Sequence, residues 1–199
     1  MFVVENLKRK FEQATGRGKP SRKEARAAVR EIEPEQFLFA DDGAVPNNPK
    51  LPFLVYKNAV VVDGQHDPAA MFEELFAANG WGNSWRNGIY DYVHYHPSIH
   101  EVLGIARGQT RVRFGGDRGA ELDLSAGDVA VLPAGTGHQR LDASHDYLVV
   151  GAYPPSGNYD EYRGKPEEHA RARLSIPKVA IPKKDPVFGP GGPLTKLWR

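Results

Sequence analysis

The stretch of sequence that decides the fold spans positions 88–101 and reads GIYDYVHYHPSIHE. If its first part is a β-strand, every second side chain lies on the same face of the sheet. The residues that would share one face are Tyr90, Tyr92, His94 and His96. Two histidines two positions apart on a strand can reach one metal ion. Pro97 then opens a turn, and a hairpin would return Glu101 beside the two imidazoles.

A second stretch, from Gly127 to His138, has the pattern of a strand, a tight turn and a histidine. Pro133 and Gly135 supply the turn, which would direct His138 across the fold. A carboxylate joined to imidazoles suits Fe(II), Mn(II), Zn(II), Ni(II) or Co(II). The chain has no cysteine, which excludes thiolate ligands and disulfide bonds. The sequence therefore predicts one divalent metal ion with four ligands, which are His94, His96, Glu101 and His138.

The spacing of these residues resembles the two motifs of the cupin superfamily. The first motif is Gly, five residues, His-x-His, three or four residues, Glu, six residues and Gly. It matches here at Gly88, His94, His96, Glu101 and Gly108. The second motif is Gly, five residues, Pro-x-Gly, two residues, His, three residues and Asn, and it matches at Gly127, Pro133, Gly135 and His138. Asp142 replaces the final Asn, at a position that is not a ligand in cupins.

Shorter matches resemble the YjlB-like group of small bacterial cupins. They lie at positions 41–43, 46–49, 80–81, 83–88 and 185–189. The resemblance implies a mainly β, single-domain cupin, an RmlC-like jelly-roll β-barrel of six to eight antiparallel strands with the metal near its centre. Three histidines and one glutamate would leave one or two positions open for water, substrate or dioxygen, as in a catalytic site. The resemblance implies a fold and a site, but no substrate.

The 199 residues divide into three zones. Residues 1–34 are predicted to be an N-terminal helical extension, because Val4, Leu7 and Phe11 fall at helical spacing and Ser21 can cap a second helix over 22–31. Residues 35–153 form the cupin barrel. Residues 154–199, rich in proline, glycine and charge, are predicted to be an extended arm packed on the barrel, with a short helix near 167–173.

Within the barrel zone the pattern predicts one helix and many short strands. Asp67 and Pro68 open the helix as N-cap and first residue, and Gly80 ends it. After Gly88 the period becomes alternating, which favours strands separated by turns. The predicted strands cover residues 37–39, 53–56, 89–96, 101–106, 110–114, 121–124, 129–132 and 147–153.

Four further residues are candidates for a substrate pocket. Tyr90 and Tyr92 share the predicted ligand face and could contact substrate, or simply pack in the core. Trp85 and Arg86 flank the strand entry, and Arg86 could bind a carboxylate or phosphate or be structural. His100 precedes Glu101 and therefore points to the opposite face of the strand, so it is expected on the surface or in the hairpin.

The leading functional hypothesis is a metal-dependent enzyme that acts on a small molecule, with dioxygenase chemistry preferred because a three-His, one-Glu site suits Fe(II). One alternative is isomerisation or epimerisation of a sugar or sugar phosphate. Another is a non-catalytic module that binds or senses a small ligand, which fold alone does not exclude.

Composition narrows the possible partners. The formal net charge is +1, which gives no general case for nucleic acid, and the basic residues near the N-terminus are diluted by glutamates. No stretch approaches the roughly 18 apolar residues of a membrane helix, and the start does not resemble a secretory signal. A cytoplasmic location is therefore expected. A homodimer is also expected, because cupins often pair through edge strands.

Overall fold

The computed structural model describes residues 2–62 and 64–199. The described chain contains nine strands: β1 (Glu35–Phe37), β2 (Phe53–Tyr56), β3 (Gly82–Asn87), β4 (Glu101–Arg107), β5 (Gln109–Phe114), β6 (Ala120–Ser125), β7 (Val129–Leu132), β8 (His138–Ala143) and β9 (Leu148–Tyr153). They form a six-stranded antiparallel sheet in the order β1-β2-β7-β4-β9-β3 and a three-stranded sheet in the order β6-β5-β8. The prediction of a mainly β fold is confirmed.

Five α-helices surround the sheets: α1 (Phe2–Thr15), α2 (Arg22–Ala27), α3 (Pro68–Ala78), α4 (Pro166–Ser175) and α5 (Pro193–Leu197). A short 3-10 helix, Ile176–Lys178, follows α4. None of the described helices has the length and apolar character needed to cross a membrane. The second expected helix ends earlier than predicted, at Ala27, because the next residues hydrogen-bond to residues 59–61 instead of continuing the helix.

The six-stranded sheet is buried on both faces, and alternation along β4 shows how. Leu103 and Ile105 pack with Val112 and Phe114 of the three-stranded sheet, so this face forms the core between the sheets. Val102 belongs to a second cluster, which also includes side chains of α3 and of the C-terminal segment. Glu101 falls on the same side of its strand as residues 103 and 105, which places its carboxylate on the inner face.

Helix α3 starts at Pro68 as predicted. The side chain of Asp67 makes no capping hydrogen bond, because its carboxylate is held by Lys8 and Arg86. The helix lies close against β4 at Gly104, where an added Cβ atom would come within 2.4 Å of the Phe72 ring. Only glycine allows this separation between helix and sheet.

The predicted strand over 89–96 is wrong. Strand β3 lies earlier, and residues 88–100 make only isolated bridges, from His94 to His138 and from Tyr95 to Tyr162. The segment leaves the edge of one sheet and crosses to the other, so its successive residues pair with different partners and no ladder forms. Strand β8 was not predicted from the sequence, whereas the helix expected near 167–173 is confirmed as α4.

Candidate metal centre

Four side chains from the two predicted motifs meet at one end of the space between the sheets. His138 and Glu101 are the first residues of β8 and β4, while His94 and His96 lie in the crossing segment. The bridge between His94 and His138 joins that segment to β8 through two backbone hydrogen bonds of 3.2 and 2.9 Å. All four side chains are at most 5% exposed.

The three imidazoles form a compact group that could hold a metal ion. One ring nitrogen from each of His94, His96 and His138 lies within 4.8 Å of the others. Glu101 lies against two of the three: its Oε2 is 3.6 Å from Nε2 of His96 and 3.5 Å from Nε2 of His138. Ligand atoms that share one ion at about 2.1 Å are separated by about 3 to 3.5 Å. The spacing at Glu101 is therefore close to that of neighbouring ligands.

Backbone carbonyls fix the orientation of every imidazole in the group. Nδ1 of His94 donates to the carbonyl of Tyr92 at 3.2 Å, and Nδ1 of His138 donates to that of Thr136 at 3.1 Å. Nδ1 of His96 is hydrogen-bonded to the carbonyl of Asp160. A neutral imidazole that donates from Nδ1 keeps a lone pair on Nε2. Such carbonyl contacts orient the histidine ligands of metal sites.

Burial favours the neutral form of His94, His138 and Glu101. It lowers the pKa of His94 to about 4, with a further lowering from the nearby His96. It also lowers the pKa of His138 well below its usual value. Burial raises the pKa of the Glu101 carboxyl, because its charged form is desolvated. Near pH 7, His94 and His138 are therefore free of protons that a metal ion would have to displace.

One carboxylate oxygen of Glu101 is buried without a hydrogen-bond donor. Oε2 accepts no hydrogen bond within the described chain. The hydroxyl of Tyr153 hydrogen-bonds the carboxylate, and Nε1 of Trp85 donates to that hydroxyl at 2.9 Å. A buried carboxylate oxygen without a donor is costly. A cation at the point where the imidazoles converge would remove that cost, so the residues present fit a divalent metal.

A cavity of about 480 Å³ adjoins the four residues. Its walls include Trp85, Ile89, Tyr90, Tyr153 and Tyr159, and the residues that reach it from helix α1 are Asn6 and Arg9. A volume of this size is typical of sites for small molecules, and the wall combines aromatic side chains with polar and charged ones. The arrangement can therefore hold a small ligand beside the imidazole group.

The pocket candidates predicted from sequence have different surroundings. Trp85 and Tyr90 line the cavity, and Tyr90 stacks on Tyr92 with ring centroids 4.8 Å apart. Tyr92 is not among the described residues that line it, and its hydroxyl accepts a hydrogen bond from Arg163. Arg86 reaches the cavity wall, but it is 4% exposed.

Every nitrogen of the Arg86 guanidinium donates to a carboxylate. Its Nε donates to Glu73, its Nη1 to Asp67 at 2.8 Å, and its Nη2 to Glu12 at 2.7 Å and to Glu73. These contacts are typical of the structural role that the sequence left open for Arg86. A role of Arg86 in binding a substrate carboxylate stays a prediction.

Two features of the site were missed in the sequence. Tyr153 could have been found, because Tyr147, Val149, Gly151 and Tyr153 alternate along β9 and Val149 faces the inner core. His100, expected on the surface, is fully buried: its Nδ1 accepts the N–H of Ala134, and its ring lies 4.8 Å from that of Trp198. The C-terminal segment covers the side of β4 on which His100 lies. The alternation of residues along one strand does not predict such a contact with a distant segment.

Comparison with known proteins gives one strong similarity. The chain is 40% identical over 168 residues to "Uncharacterized protein YjlB" of Bacillus subtilis (strain 168), a match that covers 84% of this chain and 98% of YjlB. No family model matches the chain.

Solved structures resemble it more weakly. A Klebsiella pneumoniae protein with a double-stranded β-helix domain is 16% identical, with 71% of this chain and 94% of that one covered and a TM-score of 0.34. A TDP-quinovose 3,4-ketoisomerase from Campylobacter jejuni is 16% identical, with 45% and 74% covered and a TM-score of 0.36. Scores this low carry no inference about activity. The extent and identity of the match to YjlB decide the family, and the chain belongs to the YjlB-like group of cupins.

Proposed function

We propose that this protein binds one divalent metal ion through His94, His96, Glu101 and His138, and that it acts as an enzyme on a small molecule in the adjoining cavity. One observation carries the proposal: three buried imidazoles converge beside a carboxylate oxygen that lacks a hydrogen-bond donor. A metal-free version of this arrangement would leave that oxygen buried and unpartnered, which is unfavourable. A cation relieves it.

The residues around the four ligands have separate tasks in this proposal. Tyr153 orients the carboxylate of Glu101, and Trp85 holds the hydroxyl of Tyr153. Tyr90 and Tyr159 border the cavity and would contact the ligand. When bound, the metal would supply Lewis acidity or a site for dioxygen. We prefer dioxygenase chemistry, because three imidazoles and one carboxylate suit Fe(II).

Elemental analysis tests the proposal on untagged protein purified without added metal. We expect about one equivalent of Fe, Mn, Zn, Ni or Co per chain, and its loss in His138→Ala. The matched control is His145→Ala, because His145 is exposed and outside the group. Iron would lead to oxygen-consumption assays, and zinc or manganese to isomerase assays with sugar phosphates. Absence of metal from the wild-type protein, even after incubation with each ion, would refute the proposal.

The expected partners and location remain proposals with their own tests. We propose a small-molecule ligand and no nucleic acid, since the chain carries a formal net charge of only +1. A homodimer is proposed because cupins often pair through edge strands. A monomeric mass by light scattering would contradict it. A cytoplasmic location can be checked by cell fractionation.

A further inference from the structure

Helix α1 has its polar side against the protein and its apolar side outward. Glu5 and Glu12 are 6% and 3% exposed, whereas Val4, Leu7 and Phe11 are 65%, 62% and 53% exposed. Surface helices ordinarily bury their apolar stripe. The apolar pattern of α1 therefore does not explain why the helix lies where it does.

Ion pairs hold the helix instead. Glu12 accepts from Arg86 at 2.7 Å, Glu5 pairs with Arg107, and Lys8 donates to Asp67 at 2.7 Å. Buried ion pairs contribute little net stability, because desolvation offsets their attraction, but they fix geometry. The contacts therefore place α1 in one defined position against β3 and β4.

That position brings Arg9 to the cavity. Arg9 lies between the two fixed glutamates in sequence and lines the same cavity as the three histidines. Its Nη2 donates to Ser84 Oγ at 3.0 Å, and its Nε lies 3.0 Å from Glu73 Oε1. Among the described residues, Nη1 donates no hydrogen bond, and the one made by this side chain comes from Nη2. The side chain is 26% exposed, so the guanidinium is oriented by the protein and still open on one side.

The charges on the cavity wall favour an anion. Arg9 and Arg86 are the cationic side chains that line it in the described chain, and every nitrogen of Arg86 already donates to a carboxylate. Glu101 is the carboxylate that lines it. A divalent cation on the proposed ligands would add two positive charges to this wall, while Glu73 beside Arg9 offsets one. A ligand with one negative charge would complement it.

We propose that Arg9 binds the carboxylate of a small organic acid in this cavity, so that helix α1 supplies the anion-recognising residue of the site. This inference rests on the proposed function, because the acid would lie beside the proposed metal ligands. Arginine offers paired donors in a plane, which match the two oxygens of a carboxylate. Tyr90, Tyr153, Tyr159 and Trp85 would surround the uncharged part of the acid.

Matched acids and amides test the proposal by isothermal titration calorimetry. Benzoate with benzamide, and pyruvate with pyruvamide, differ in charge and hardly in size. Wild-type protein, loaded with Mn²⁺ and in parallel treated with a chelator, is expected to bind at least one acid tenfold or more tightly than its amide. Arg9→Gln should weaken binding of that acid by about ten- to a hundredfold. It should leave binding of the amide unchanged, and Arg9→Lys should restore part of the loss.

The matched control is Lys10→Gln, which removes a positive charge from the exposed side of the same helix. It should leave both affinities unchanged. Hydrogen exchange of the α1 amides shows whether each variant keeps the helix docked, so loss of the helix is distinguished from loss of one contact.

Each outcome decides the proposal. It is overturned if Arg9→Gln binds the acids as wild type does, if wild type fails to discriminate acid from amide, or if it binds neither acid. Metal content is measured on the same samples. If wild type holds no metal, the proposed function fails separately, and the chelator-treated series still decides the role of Arg9.

Discussion

Oε2 of Glu101 lies 3.5 Å from Nε2 of His138, although the two residues begin strands of different sheets. Strand β4 presents the carboxylate from the six-stranded sheet, and β8 presents the imidazole from the three-stranded one. The contact thus depends on how the sheets face each other, and it is sensitive to any residue that orients either side chain. Tyr153 is the neighbour that hydrogen-bonds Glu101.

Tyr153→Phe is expected to weaken metal binding by about ten- to a hundredfold, the usual effect of removing a hydrogen bond behind a ligand. The substitution also leaves Nε1 of Trp85 without its acceptor. Competition with a chromophoric chelator measures the affinity. Tyr159→Phe is the control, because Tyr159 lines the same cavity while its hydroxyl contacts Glu161 at 3.4 Å. Equal affinities in the two variants would contradict the role given to Tyr153.

Arg86→Met should destabilise the protein by about 3 to 5 kcal/mol, because several buried carboxylates lose their counter-charge together. Urea unfolding measures the change, and hydrogen exchange should show α1 released first. The control is Arg111→Met, in an exposed pair with Asp123, for which a much smaller loss is expected because water screens the pair. A loss at Arg86 no larger than at Arg111 would mean that the buried pairs do not hold the helix.

Gly151→Ala should displace the ring of Trp85 from the cavity wall. An added Cβ would come within 2.1 Å of Trp85 Cε2, and such overpacking costs about 1 to 3 kcal/mol. Gly82→Ala on β3 is the control, since nothing lies within 4 Å of its added Cβ. Thermal unfolding and tryptophan fluorescence report the two effects. Indistinguishable spectra for Gly151→Ala and wild type would show that the wall adapts without moving the indole.

The stability of the metal-free protein should fall as pH drops from 6.5 to about 4, in part because of His100. Burial lowers the pKa of His100 from 6.5 to about 4. The unfolded chain therefore takes up this proton at a higher pH than the folded one, so the stabilisation is complete above pH 6.5 and is lost below it. The loss from this one group is about 3 kcal/mol.

His100→Asn removes the titrating ring, so unfolding by urea in the presence of a chelator should depend less steeply on pH across this range. His145→Asn, at an exposed histidine, should keep the wild-type slope. A His100→Asn slope equal to that of wild type would mean that His100 is protonated at the same pH in both states.

Motif spacing was sufficient to predict which four side chains meet, but it did not predict the backbone that carries them. His94 and His96 were assigned to a strand because they alternate, yet their segment crosses between two sheets. Over only three residues, a regular strand and the observed crossing segment both place the rings of His94 and His96 on the same side of the backbone. Local sequence therefore identified the side chains while giving the wrong secondary structure.

Arg9 shows the limit of local reasoning more clearly. Its contribution to the cavity depends on ion pairs between residues far apart in sequence; positions 12 and 86, for example, are separated by 74 residues. The spacing of the apolar residues in α1 would even predict that the opposite face of the helix packs against the protein. The sequence of α1 alone does not reveal that its glutamates pair with two arginines of the six-stranded sheet.

The contact between His100 and Trp198 has a consequence for biosynthesis. His100 precedes Glu101 and lies against the indole of a residue almost a hundred positions later. A chain growing on the ribosome must expose residue 198 before this side of β4 is covered. Until then His100 and the part of the sheet face beside it that helix α3 does not cover stay open to water and to other nascent chains, so the neighbouring ligand Glu101 should reach its final position only after this segment has been synthesised.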